Sequence, residues 1–146
     1  MISYLLLSKE NVPEIERLYK DDFSDGWNKN MLNSAFETGR FMALGAYLDG
    51  NLIGIITSSI GMDDADIESV YVRVEHRRKG IAYELLNKIE RELVSNEIKK
   101  VLLEVRESNL SARALYSKKG YADIFVRKKY YHDGENAVVM VKELSE

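Results

Sequence analysis

The sequence contains no cysteine. That excludes disulfides, thiolate metal sites and a cysteine nucleophile, and it suits a reducing cytoplasm. Histidine is almost as scarce: His76 and His132 stand far apart, so no histidine-based metal site is supported and no metal is expected. Pro13 is the only proline, and no linker, repeat or low-complexity stretch interrupts the chain. The 146 residues therefore read as one domain, 1–146, long enough to bury most of its apolar surface. Long apolar runs are also missing. The opening Met1-Ile2-Ser3-Tyr4-Leu5-Leu6-Leu7 has no basic leader and is too short for a signal peptide or membrane span, so no membrane partner is expected. Positive charge is not in excess: 21 Lys and Arg against 24 Asp and Glu leave −3, which argues against nucleic acid as a partner. Neither G-x-x-x-x-G-K-[ST] nor G-x-G-x-x-G occurs, so the usual nucleotide loops are excluded.

What is present is patterned. Ile2 to Leu7 reads as a strand. Asn11 is placed to cap a helix with Pro13 in its first turn and Ile15, Leu18 and Tyr19 as its apolar stripe. A second helix is expected over Asn28 to Thr38, with Met31, Leu32, Ala35 and Phe36 inward. Strands follow at Phe41 to Leu48, Leu52 to Ile60 and Ile67 to Val72, joined by turns at Asp49-Gly50-Asn51 and Gly61 to Asp64. Gly80 to Asn96 is the clearest helix, with Ile81, Leu85, Ile89 and Leu93 four residues apart and Ala82 and Leu86 beside them. Lys99 to Val105 is a strand whose apolar run predicts coverage on both faces. A helix over Leu110 to Lys119, closed by Gly120, precedes a hairpin of Tyr121 to Tyr131 and Glu135 to Lys142. This order predicts an α/β fold, a mixed sheet with helices on both faces.

Two stretches carry chemistry. In the first, Arg77-Arg78-Lys79-Gly80-Ile81-Ala82 joins a strand to the best helix. Helix starts leave backbone N–H groups unpaired and carry partial positive charge, so they receive phosphate readily. Gly80 permits close backbone approach, Ala82 keeps the first turn clear, and three cations add to the field. In the second, Glu104 interrupts an otherwise buried strand, on the face of Leu102 and Arg106 and opposite Leu103 and Val105. A carboxylate there is costly unless paired or put to use. Its bland alternative is an ion pair with Arg106 or a nearby lysine. Asn109 follows at the next helix start, with Ala112, Leu115 and Tyr116 on one face of that helix.

The spacing Arg77-x-x-Gly80-x-Ala82 resembles the pyrophosphate motif of the GNAT acetyltransferases. Leu103-Glu104-Val105-Arg106-x-x-Asn109-x-x-Ala112-x-x-Leu115-Tyr116-x-x-x-Gly120-Tyr121 is similar, residue by residue, to the signature of the RimI family of ribosomal-protein-alanine N-acetyltransferases. The resemblance implies a GNAT fold with a mostly antiparallel sheet, acetyl-CoA as cosubstrate, and a protein N-terminus as acceptor, with a ribosomal protein as the candidate partner. It implies that Arg77, Arg78, Lys79, Gly80, Ile81 and Ala82 cradle the pyrophosphate, that the backbone of Val70 and Val72 pairs with the pantetheine arm, and that Asn109 holds the cosubstrate. Glu104 becomes the candidate base and Tyr116 the candidate acid. A proline often found before the pyrophosphate motif is absent here. Asp66 and Glu68 are rival carboxylates, with surface strand positions as their bland reading.

Arg127-Lys128-Lys129-Tyr130-Tyr131 is similar to a segment of protein N-terminal acetyltransferases whose paired tyrosines grip the substrate backbone, and Tyr130 and Tyr131 are expected to do so here. The alternative is a pair of aromatics stabilising a hairpin. Phe23-Ser24-Asp25-Gly26-Trp27 corresponds to a short aromatic loop of the RimI relatives, without their proline; Trp27 either lines the peptide pocket or anchors the second helix. Two other readings stay open: a same-fold enzyme acting on polyamines or antibiotics, and a catalytically silent acetyl-CoA-binding regulator.

Overall fold

A computed structural model describes residues 1–22 and 27–144. Strands β1 (Ser3–Leu6), β2 (Phe41–Leu48), β3 (Asn51–Ile60), β4 (Asp64–Val72), β5 (Lys100–Arg106), β6 (Ala122–Arg127) and β7 (Ala137–Glu143) form one sheet in the order β1-β2-β3-β4-β5-β7-β6. Helices α1 (Val12–Asp22) and α2 (Lys29–Glu37) cover one face, and α3 (Ile81–Ser95) and α4 (Leu110–Lys118) the other. Among the described residues no helix is long and apolar enough to cross a membrane.

The apolar periodicities bury as expected. Ile15, Leu18 and Tyr19 of α1 pack with Leu32, Ile55 and Tyr71. Ile81, Leu85, Ile89 and Leu93 of α3 pack with Val101, Leu103, Val105 and Tyr116. Several details differ. Asn11 is not the cap of α1: Ser8 caps a single 3-10 turn at Lys9–Asn11 that runs into the helix, and Asn11 Oδ1 accepts the Ser8 N–H in return. Met31 points outward, leaving Leu32 as the buried anchor of α2. β4 begins at Asp64, three residues early, because Asp64 and Asp66 alternate outward with buried Ala65 and Ile67. The last hairpin is shorter than expected: its strands stop at Arg127 and resume at Ala137, leaving a broad loop over 128–136.

All neighbouring strands are antiparallel except β4 and β5, which pair in parallel only from Asp64↔Lys100 to Ile67↔Leu103. There β4 bulges. Against β3, Ser69 pairs with Thr57 and Ile67 with Ser58, so Glu68 is an extra residue. A bulge bends and overtwists its strand. From this point β4 stays with β3 while β5 stays with β7, and a gap opens between them.

Among the described residues one charged group is buried in the core. Glu90 of α3 accepts the Tyr121 O–H at 2.8 Å and Lys142 Nζ at 2.8 Å, with Lys119 Nζ at 3.5 Å. It ties α3 to β7 and to the end of α4. Removing one member of such a group strands the others without compensation. Glu90→Ala is expected to cost roughly 3–5 kcal/mol in denaturant unfolding; a loss under 1 kcal/mol, read on the same scale, would show that the network carries little weight.

Candidate active site

The gap between β4 and β5 collects the candidate residues from both sides of the sheet. At its mouth α3 starts with Gly80 in the left-handed region, φ 81°, and no side chain caps it. The first bond within the helix is Glu84 N–H to Gly80 O at 3.0 Å, so the N–H groups of the opening turn remain for another acceptor. Space is open where a Cβ of Gly80 would project. Arg78 also has positive φ, 63°, and it, Lys79 and Arg77 are exposed. Arg77 braces the turn: its Nε donates to Val72 O at 2.7 Å, and its guanidinium lies 5.4 Å from the Tyr71 ring centre. The side chains of Ile81 and Ala82 face the core cluster below. Val70 and Val72 lie on the stretch of β4 that has left β5, with side chains toward the α3 face. The donor set fits a diphosphate: N–H groups, a clear approach and positive charge in one place.

Glu104 projects from β5 on the opposite face, away from Leu103 and Val105. That face is half open, not covered as the apolar run suggested: Leu102, Glu104 and Arg106 are all partly exposed. Arg106, which the bland alternative offered as an ion-pair partner, is engaged by the 128–136 loop. It binds Asp133 at 2.7 Å and Glu135 at 3.1 Å, and its guanidinium sits 4.1 Å from the Tyr131 ring centre. Glu104 pairs with Arg127 at 2.9 Å. Asp66 and Glu68 are exposed strand residues, as their bland reading has it, and they lie close enough to other carboxylates to feel them. Burial first, then Asp64 and Glu104, push the Asp66 carboxyl up, with Arg127 opposing; burial and then Asp66 push Glu68 up, with a Ser59 hydrogen bond opposing.

Across the gap, Tyr116 is buried on α4 with its ring 6.0 Å from that of Tyr121. Burial, and secondarily Tyr131, push its phenol up to about 12, so it stays protonated well past neutrality. Tyr131 is itself raised, by burial first and also by Glu104, so its phenol lies within electrostatic reach of both residues. Asn109 has a structural duty: its Oδ1 accepts the Ala112 N–H at 3.1 Å, capping α4. Its amide nitrogen and the second lone pair of Oδ1 are left for a ligand. Tyr130 is exposed, edge-on to Tyr131 with centres 5.1 Å apart. Trp27 packs against Phe41 at 5.2 Å and so anchors the start of α2; the four residues before it lie outside the described ones. Among the described residues no group of three or more His, Asp or Glu is placed to hold a metal.

A mixed sheet parted beside an uncapped helix start is the architecture of an acyltransferase, and the comparisons with known proteins agree. The chain belongs to the acetyltransferase (GNAT) family, whose model matches residues 12–121. It is 30% identical to the [ribosomal protein bS18]-alanine N-acetyltransferase of Haemophilus influenzae over 92% of this chain and 96% of that one. Its fold matches the ribosomal-protein-S18-alanine N-acetyltransferase of Escherichia coli with TM-score 0.91 at 24% identity, covering 100% and 96% of the two chains. It matches Arabidopsis thaliana NAA60 in complex with acetyl-CoA with TM-score 0.87 at 17% identity, covering 99% of each. The chain is an N-acetyltransferase.

Sequence reasoning missed Arg127 as the partner of Glu104 and Arg106 as the hub of the 128–136 loop. Tyr131 N–H to Glu135 O at 3.1 Å, Gly134 N–H to Tyr131 O at 2.8 Å, and Ser108 N–H to Glu135 Oε2 at 2.8 Å complete that hub. The Glu135 carboxyl is held below its ordinary range by Ser108 first and Arg106 second, and Asp133 by the Glu135 N–H first and Arg106 second. Carboxyls lowered on folding stabilise the loop above their ordinary values of 3.8 and 4.5 and cease to do so as pH falls through their depressed ones. Arg106→Leu is expected to speed hydrogen exchange at the Tyr131 and Gly134 amides about tenfold or more. Acidification below the ordinary carboxylate range is expected to lower the protection of the same amides, measured against their intrinsic exchange rate at each pH, in the unaltered protein. Unchanged exchange in both cases would remove Arg106 from this role.

Proposed function

We propose that the protein transfers an acetyl group from acetyl-CoA to the N-terminal amine of a protein, with a ribosomal protein bearing N-terminal alanine as the leading substrate. The observation that carries this reading is a half-exposed Glu104 and a buried Tyr116 held neutral, with Tyr131 within electrostatic reach of both. The turn Arg77 to Ala82 would hold the phosphates, Val70 and Val72 would offer their backbone to the pantetheine arm, and Asn109 would add its amide. When bound, acetyl-CoA supplies an acetyl thioester. The chain's own groups must then manage protons.

An α-ammonium has a pKa of about 8, so much of it must shed a proton before it can attack. Glu104, directly or through water, takes that proton. As the C–N bond forms and the C–S bond breaks, Tyr116 gives its proton to the departing sulfur. The amine's second proton restores the phenol, so one proton is released per amide formed. Holding amine and thioester side by side supplies much of the remaining acceleration. Tyr130 and Tyr131 would bind the first peptide units, and the acidic mouth of Asp66, Glu68 and Glu104 favours a cationic acceptor. Trp27, turned onto Phe41, would shape that pocket from behind.

The test is acetyl-CoA with peptides differing at residue one, plus spermidine, read by product mass. Acetylation at the peptide α-amine is expected, strongest with alanine first; acetylspermidine alone would overturn the assignment. Glu104→Gln and Tyr116→Phe should each lower kcat about a hundred- to ten-thousand-fold while acetyl-CoA still binds. Full turnover in both would strip them of these roles. Tyr131→Ala should raise KM for peptide more than KM for acetyl-CoA, and the reverse pattern would refute a grip on substrate.

A further inference from the structure

Glu104 does not meet solvent alone. Arg127 reaches it from β6, two strands away, and the pair closes at 2.9 Å. The register explains how. Arg106, Ala137 and Arg127 form one row across β5, β7 and β6, so they share a face of the sheet. Arg106, on the strand of Glu104 itself, is held by Asp133 and Glu135. Ala137 offers only a methyl group between the strands, leaving a path for the Arg127 side chain to cross β7. The guanidinium also lies 5.4 Å from the Tyr130 ring centre. Glu104 in turn acts on Tyr130, whose phenol it raises by charge first and by hydrogen bonding as well.

The position of this pair matters more than its strength. The two side chains are 52% and 30% exposed, and a pair that open is weak. It nevertheless sits where three carboxylates crowd: Asp66 feels Asp64 and Glu104 as neighbours, and Arg127 is the cation that relieves it. The acceptor amine arrives as a cation and needs the same carboxylate.

We propose that Arg127 is a displaceable counter-ion: its guanidinium occupies the place on Glu104 that the substrate's ammonium takes, and binding exchanges one cation for the other. The proposal rests on reading Glu104 as the group that meets the amine. The exchange keeps charge at the mouth nearly constant, so Asp66 and Glu68 are never left facing an unneutralised Glu104. It also discriminates, since an uncharged ligand cannot replace a guanidinium on a carboxylate. Arg127 is thus a positioning residue for Glu104 rather than a catalytic one. It is weakly held because it must leave.

The measurement is the KM for an N-terminal peptide with Arg127→Gln, Arg127→Lys and, on the Glu104→Gln background, Arg127→Gln again. Removing the competitor should lower peptide KM about two- to five-fold, the size expected of a half-exposed ion pair, with KM for acetyl-CoA unmoved. Arg127→Lys, which keeps a cation, should stay near the unaltered value. Added methylguanidinium should compete with peptide, and more strongly in Arg127→Gln, where its place is vacated. In the Glu104→Gln background the effect of Arg127→Gln on KM should vanish, because no carboxylate remains to contest. A rise or no change in peptide KM, or a fall that persists without the carboxylate, overturns the proposal. The KM comparison reads displacement whether or not Glu104 takes the proton, whereas turnover in Glu104→Gln reads the proton alone. The two readings therefore fail separately.

Discussion

The parting of β4 from β5 is the constraint on which the site depends. Parallel pairing lasts four residues on each strand and ends where Glu68 bulges out of register with β3. Had the two strands stayed paired to their ends, the edge of β4 at Val70 and Val72 would be filled and Glu104 would face a neighbouring strand. Because they part, the start of α3, the open edge of β4, the carboxylate of β5 and the phenol of α4 all border one gap. The helices fix that geometry. α3 and α4 pack on one face through Leu85, Ile89 and Tyr116, and the Glu90 network locks α3 to β7 and to the end of α4.

Charge is divided across this gap. Arg77, Arg78 and Lys79 gather at the helix start, while Asp64, Asp66, Glu68 and Glu104 gather along β4 and β5 on the other face of the sheet. A net charge of −3 conceals both. One side suits an anionic cosubstrate and the other a cationic acceptor, and the sheet keeps them apart. The loop over 128–136 closes the acidic side. Arg106 holds it by its acidic residues and by the face of Tyr131, so the strand that carries Glu104 also aims the aromatic side chains above it.

Much of this was legible in the sequence, and what was not has a common cause. The four-residue apolar spacing of α3, the placement of Glu104 on the face opposite Leu103 and Val105, and the glycine at the helix start are local patterns, and each holds. The motif resemblance identified the family because it encodes spacing along two adjacent elements. Partners of long side chains were not legible. Arg106 stands next but one to Glu104 and looked like its partner, yet it turns to a loop 27 residues on, and Arg127 arrives from two strands away. The bulge at Glu68 depends on the register against β3, which no period within β4 reveals. The capping of α1 slipped to Ser8 because Asn11 answers it in a reciprocal pair. The end of β6 was misplaced because tyrosines of high strand propensity, Tyr130 and Tyr131, sit in a loop that Arg106 holds.

Backbone amide NMR during a titration with coenzyme A tests the gap as a binding slot without relying on turnover. The expected result is that the largest shift changes fall on Gly80 to Tyr83 and on Val70 and Val72, with Glu104 and Asn109 beside them. Saturation with those amides unmoved, and the changes gathered on another surface, would contradict the docking of the cosubstrate between β4 and β5.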